Sequence, residues 1–384
     1  MSAFIGSPTQ SGRAEPRTPT LLTELCRKAT DYARLVDNLN PAKMSDPAAD
    51  VAPLAPGVFT WPSPEAGSET LLRIPDYDLV RRVGAGAYGE VWLARSTATG
   101  VLRAAKIVWR RTFEDDRPFE REFEGIQRFE EMSREHPSQL ALFHIGRNDA
   151  EVYFYYIMEL ADRVGAQSPE SKVQRLAAFP GPESGSVVGV GDSYTPHTLR
   201  ADLARGRLPS ARVLEIGLAL TEALGHLQKH GLVHRDMKPS NVIFVSGRPK
   251  LADIGLVTDA SDTCSIVGTE GYLPPEGPGT PQADLFALGK VLYEAANGLD
   301  RREFPKLPED ARSWSDAKLL FELNEAILKA CAAAVGKRYG SAELLHADLE
   351  LLGAGKSIRR AQRRQGYWQL DWIDLAGCRG IHES

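Results

Sequence analysis

One segment constrains this chain more than any other: His234-Arg235-Asp236-Met237-Lys238-Pro239-Ser240-Asn241, followed 12 residues after Asn241 by Asp253-Ile254-Gly255. Six specified residues at fixed offsets arise by chance with a probability on the order of 10⁻⁵ in a chain this long. Asp236 and Asp253 supply carboxylates and Asn241 an amide carbonyl. Brought together, such groups make a cage for a hard cation such as Mg²⁺, which substrate phosphates complete. Each residue alone has an ordinary reading, His234 in a core or Asp236 in a turn. The set does not.

The pattern upstream is strand, glycine turn, strand over Tyr77–Ala94, then another strand at Val101–Val108. Arg117–Glu135 reads as a charged helix with Phe123, Ile126, Phe129 and Met132 inward. Leu140–His144 and Val152–Leu160 read as paired strands joined by a turn at Gly146-Arg147-Asn148-Asp149. A Gly/Ser/Pro-rich break from Asp162 to Tyr194 is too polar for core and is expected as a surface excursion. Helical patterns follow at Ala211–His230, Ala283–Asn297, Lys318–Ala334 and Ser341–Leu352. The expected fold class is α+β and bilobal, a small β-sheet N-lobe with one helix and a larger, mainly helical C-lobe. The expected bounds are 74–160 for the first lobe, 162–194 for the insertion and 195–352 for the second lobe.

Before this region, residues 1–73 hold nine of the 25 prolines and read as a disordered extension, with one helix-like stretch from Thr20 to Leu39. After it, 353–384 forms a basic and aromatic tail. Lys356, Arg359, Arg360, Arg363 and Arg364 precede Tyr367, Trp368 and Trp372 there, a pattern that fits either a solvated helix end or peripheral contact with an anionic membrane.

Gly84-Ala85-Gly86-Ala87-Tyr88-Gly89-Glu90-Val91 would let backbone N–H groups approach phosphate oxygens. A strand follows it, not a helix, which disfavours a dinucleotide-binding fold. Lys106 lies in an apolar strand 17 residues after Gly89. It either snorkels at an edge or points into a site and needs a counter-charge. Glu122 is the best candidate, because Ile126 and Phe129 continue its helical face.

Together these residues make the chain resemble the eukaryotic-like (Hanks-type) serine/threonine protein kinases over roughly Tyr77–Leu352. The resemblance implies that Gly84, Gly86 and Gly89, flanked by Val83 and Val91, cover the phosphates of ATP. It implies that Lys106 and Glu122 form the lysine–glutamate pair, that Met158 is the gatekeeper, and that Glu159 and Ala161 form the adenine hinge. Asp236 would be the catalytic base, Lys238 would stabilise the transferring phosphoryl, and Asn241 and Asp253 would hold Mg²⁺. Pro274-Pro275-Glu276 stands where the family writes A-P-E, with Arg338 as the partner of Glu276. Arg235, Gly255, Thr269 and Asp284 would be structural. Lys238 and Thr269 imply Ser or Thr on a protein as acceptor. Ile254 departs from the usual aromatic of D-F-G, and the 162–194 insertion from a usually short connection.

Arg235 wants an anion beside the base. Autophosphorylation at Thr258, Ser261, Thr263 or Ser265, with self-association, would supply it; Asp259 or Asp262 is the other source. Two other functions share this fold: a catalytically weak pseudokinase-type scaffold that binds nucleotide and partners, and a small-molecule phosphotransferase.

Composition narrows the choice. With 46 basic and 51 acidic side chains the net charge is −5, which argues against coating nucleic acid. Four scattered cysteines form no metal ribbon or disulfide framework. No apolar run approaches the roughly 20 residues of a membrane span. The expectation is a cytoplasmic chain.

Overall fold

The computed structural model describes residues 72–86, 89–113, 115–150, 152–165, 194–253, 258–259 and 268–360. The stretch Thr20–Leu39, most of the insertion, Ile254, Gly255, Ser261, Thr263, Ser265 and the tail beyond 360 lie outside them.

The first lobe is a five-stranded antiparallel sheet of β1 (Tyr77–Gly86), β2 (Gly89–Ser96), β3 (Leu102–Trp109), β4 (Leu142–Asn148) and β5 (Tyr153–Met158), in the order β1-β2-β3-β5-β4. Alternation along β3 explains its burial on both faces. Ala104 and Val108 join the main core, whereas Ala105 and Ile107 join a second cluster with Tyr153, Tyr155 and Ile157. Between β3 and β4 runs α1 (Asp116–Ser133), whose first turn is capped when Asp115 accepts from the Arg117 N–H at 2.9 Å. Phe119, Glu122, Ile126, Phe129 and Met132 form its buried stripe. Four of these are apolar and one is a carboxylate, so the helix carries a charge into the interior by design of its phase. Phe123, at the stripe's edge, is only partly buried and packs on the ring of Phe154.

The turn expected at Gly146–Asp149 is displaced. Gly146, Arg147 and Asn148 belong to β4, and the chain reverses between Asp149 and Val152. Gly146 pairs with Tyr155, and a Cβ there would run into the Tyr155 ring. The glycine that looked like turn punctuation is a close approach within a strand.

At the insertion, the Val164 N–H donates to the Thr195 carbonyl at 2.9 Å and the His197 N–H to the Asp162 carbonyl at 2.7 Å. The excursion therefore leaves and re-enters at adjacent antiparallel points. The Asp162 carboxylate also accepts from the Ser246 and Gly247 N–H groups, at 3.0 and 2.7 Å.

The second lobe contains α2 (Leu199–Leu203), α3 (Ser210–Lys229), α4 (Pro281–Asn297), α5 (Ala317–Ala330) and α6 (Ala342–Gly353). Two small antiparallel ladders join β6 (Leu232–Val233) to β9 (Thr258–Asp259) and β7 (Val242–Val245) to β8 (Arg248–Leu251). Buried Leu220, Ala223, Leu224 and Leu227 make α3 the central helix. At its start, Asp316 accepts from the Ser210 N–H at 2.7 Å and from Arg207 in a two-pronged pair. Arg207, helped by Ser210, holds that carboxyl well below the usual range. The fold class is the expected one.

Two ends differ from the helical pattern. α5 stops at Ala330, short of the expected Ala334, because Arg338 Nε takes the Ala332 carbonyl at 2.6 Å and Nη2 the Ala333 carbonyl at 3.3 Å. The packed chain also continues beyond 352: Ile358 is buried, and Arg359 pairs with Glu325. Among the described residues, no helix is long and apolar enough to cross a membrane.

Candidate active site

The sheet and α1 bring Lys106 and Glu122 together beneath β2, and the turn after β8 brings Asp253 to meet them. Lys106 Nζ lies 2.5 Å from Asp253 Oδ1 and 3.8 Å from Glu122 Oε1. Of the two alternatives open for Lys106, snorkelling is excluded, because its side chain is 10% exposed. Neither Glu122 oxygen has a hydrogen-bond partner. Burial pushes the Glu122 carboxyl up to about 7 despite Lys106. Burial also works against the ionised form of Asp253, but the Lys106 ammonium beside it holds that carboxyl below its ordinary value. For Lys106, burial opposes the charge and the surrounding Asp253, Tyr156 and Glu122 outweigh it, so the amine stays protonated.

The segment between β6 and β7 is held from behind. Asp284, in the first turn of α4, accepts from the His234 N–H at 2.7 Å and the Arg235 N–H at 2.8 Å. Thr280 caps that helix and Pro281 starts it, so the carboxylate sits at the positive end of the helix. These two bonds support Arg235 in a left-handed conformation at φ 69°. His234 Nε2 donates to the Ala252 carbonyl at 3.1 Å, tying the segment to the residue before Asp253, itself at φ 60°.

Asp236 is the hub. Its Oδ1 accepts from Thr269 Oγ1 at 2.8 Å, and its Oδ2 from Lys238 Nζ at 2.5 Å and Asn241 Nδ2 at 3.0 Å. Asn241 Nδ2 also donates to the Asp236 carbonyl at 2.9 Å, so the amide is oriented by its nitrogen. Its Oδ1 has only Ser240 Oγ at 3.4 Å, which leaves a hard oxygen for a cation. Asp253 and Asn241 both offer oxygen donors, the ligand type that suits Mg²⁺.

The nucleotide side fits in two respects. Gly89 is demanded by the fold, since a Cβ would strike the Ile107 carbonyl, whereas one at Gly86 would meet nothing within 4 Å. Gly86 therefore leaves backbone facing open space, where a phosphate can approach. Met158 ends β5, and Glu159 and Ala161 follow it in sequence. The Glu159 N–H donates to the Ala141 carbonyl at 3.1 Å, and Ala161 is buried. Val91 pairs with Lys106, while Val83 lies in β1. Further out, Arg338 meets Glu276 through both guanidinium nitrogens, the second at 2.9 Å. Thr258 lies in β9, paired through its backbone with Val233.

Several supporting residues were not singled out from the sequence. Lys250 is buried and pairs with the Glu159 carboxylate at 2.6 Å. Ala104 stands opposite Met158 in register. Arg301 stacks over Tyr272 at 4.5 Å and donates to the Glu270 carbonyl at 3.0 Å, fixing the chain just after Thr269. Only Ala104 had a local signal, its place two residues before Lys106.

A two-lobed fold with this lysine, paired carboxylates and oriented amide in the cleft defines a protein kinase domain. The protein kinase domain family model matches residues 190–329, just over a third of the chain. The chain is 26% identical over 296 residues to serine/threonine-protein kinase PrkC of Bacillus subtilis, covering 71% of this chain and 40% of that protein. It is 30% identical over 238 residues to serine/threonine-protein kinase AfsK of Streptomyces coelicolor, covering 59% and 25%. A plant protein, 3-phosphoinositide-dependent protein kinase 1 of Arabidopsis thaliana, is 25% identical over 242 residues, covering 58% and 42%. Over the matched residues this chain is similar to serine/threonine protein kinases of the eukaryotic-like type. It spans about 40% of the length of relatives such as PrkC.

Proposed function

We propose that this chain is an ATP-dependent serine/threonine protein kinase that acts in the cytoplasm on protein hydroxyls, its own activation segment included. The observation that carries this reading is the hydrogen-bond set on Asp236. One carboxylate oxygen takes Thr269, and the other takes Lys238 and Asn241, so the group is held in a fixed orientation. A hydroxyl positioned against it is oriented for in-line attack and gives up its proton late. Lys238 accompanies the phosphoryl group as charge spreads over its oxygens. Lys106 holds the α and β phosphates, and Glu122 keeps the lysine in place. Asn241 and Asp253 would hold Mg²⁺, which would supply positive charge to offset that of the phosphates.

The roles of Val83, Gly84, Gly86, Gly89, Val91, Met158, Glu159 and Ala161 in nucleotide binding, and of Arg235, Gly255, Thr269, Glu276, Asp284 and Arg338 in support, belong to the same reading. So does phosphorylation at Thr258, Ser261, Thr263 or Ser265. A binding-only scaffold has no use for an aspartate held on both oxygens beside an oriented amide. The test is incubation of the purified chain with ATP, Mg²⁺ and a basic protein acceptor. Phosphate on Ser or Thr, lost in Lys106→Met, is the expected outcome; wild-type protein that transfers no phosphate to itself or to any acceptor overturns the proposal.

A further inference from the structure

The connection that leaves α1 carries Glu135 and packs against the C-terminal end of α3. There His226, in the last turn, and His230, the C-cap residue, stand four positions apart. His226 Nε2 lies 3.9 Å from Glu135 Oε2 and His230 Nε2 lies 3.8 Å from it. The three donor atoms are all within 4.8 Å of one another. None of them belongs to the cleft described above.

Two observations set this cluster apart from a pair of surface ion contacts. First, His226 Nε2 is buried and has no hydrogen-bond partner. A buried ring nitrogen left unpaired is costly, and something that accepts its lone pair would relieve that cost. Second, His230 Nδ1 donates to the His226 carbonyl at 2.9 Å. This fixes the neutral ring in the tautomer whose Nε2 lone pair faces Glu135, and it is the outer hydrogen bond that orients a metal-binding imidazole.

From this geometry we infer that Glu135, His226 and His230 form a binding site for a divalent transition-metal ion of the zinc type, with water in the fourth position. Two imidazole nitrogens and one carboxylate suit Zn²⁺, whereas Mg²⁺ and Ca²⁺ prefer oxygen alone. Zinc bonds of 2.0–2.1 Å require donor atoms about 3.3 Å apart in a tetrahedron, so the cluster closes by roughly half an ångström on each Glu135 contact. Glu135 is exposed and can turn to make that closure. A bound ion would clamp the end of α1, the helix that carries Glu122, onto α3 of the other lobe. Gln139 Nε2 already donates to the Ala223 carbonyl at 2.7 Å across the same contact.

The experiment needs no nucleotide and is independent of the kinase reading. The full chain, free of any histidine tag and stripped with a chelator, is dialysed against ZnCl₂, and retained zinc and thermal midpoint are measured. His230→Ala and Glu135→Gln are run in parallel; both residues are exposed, so both variants should fold. The four cysteines can also take zinc, so the readout is the difference between proteins. The expected result is about one more zinc retained by wild type than by His230→Ala, a zinc-dependent midpoint rise of about 5 °C in wild type only, and at least tenfold weaker retention by Glu135→Gln. Equal retention by all three proteins, or none by any, overturns the site.

Discussion

Lys106 Nζ lies closer to Asp253 Oδ1, at 2.5 Å, than to Glu122 Oε1, at 3.8 Å. The lysine thus neutralises the carboxylate assigned to the metal more directly than the helix carboxylate assigned to itself. Glu122 is left buried without a hydrogen bond, and burial pushes its pKa up to about 7 from an ordinary 4.5.

That shift has a sign. A carboxyl whose folded pKa is raised keeps a proton that the unfolded chain has lost, so its contribution to stability is complete below about pH 4.5 and disappears as pH rises through about 7. Glu122→Gln cannot lose this contribution. Measured by denaturant titration, the stability of Glu122→Gln relative to wild type is expected to rise between about pH 5 and 7.5. Parallel pH profiles for the two proteins would show that Glu122 is ionised throughout.

Thr269 touches both polar groups of the proposed base, donating to Asp236 at 2.8 Å and accepting from Lys238 at 3.1 Å. A hydrogen bond to a charged group contributes about 1.5–3 kcal/mol. Thr269→Ala is therefore expected to lower kcat by roughly 10- to 10²-fold, with Thr269→Ser restoring most of it. Equal rates for Thr269→Ala and Thr269→Ser would remove the hydroxyl from its role.

Arg338 has a fully buried side chain, two bonds to Glu276 and two to backbone carbonyls. Its removal strands a carboxylate and two carbonyls at once. Arg338→Ala is expected to cost about 3–5 kcal/mol of folding stability in urea, and Arg338→Lys most of that, because an ammonium cannot reproduce the fork. A loss below 1 kcal/mol would mean that solvent replaces these bonds.

Gly146→Ala places a methyl group against the Tyr155 ring and is expected to cost about 1–3 kcal/mol, whereas Gly336→Ala, with nothing within 4 Å, is expected to stay within about 0.5 kcal/mol of wild type. Indistinguishable melting of the two variants would contradict the strand assignment of Gly146.

What could be read from the chain alone depends on how local the physics is. His234 to Asn241 and Asp253 stood out because their chemistry requires specified side chains at fixed offsets. Glu122 was found because helical phase put it on the same stripe as Ile126 and Phe129. The β4–β5 turn was misplaced because glycine serves both turns and close approaches, and only the Tyr155 ring tells them apart. The end of α5 was missed because it is set by Arg338, a residue outside the helix. Lys250 with Glu159, and Glu135 with His226 and His230, had no signal at all: each set is joined only by the folded chain, about 90 residues apart.

The proposed phosphate transfer depends most heavily on Asp236, and its most direct test is the rate of phosphate transfer by Asp236→Ala beside wild type, with nucleotide affinity measured on both. The expected result is a rate lower by about 10²–10⁴-fold with Mg²⁺–ATP affinity retained, phosphoserine or phosphothreonine being the wild-type product. Transfer by Asp236→Ala at the wild-type rate would contradict it.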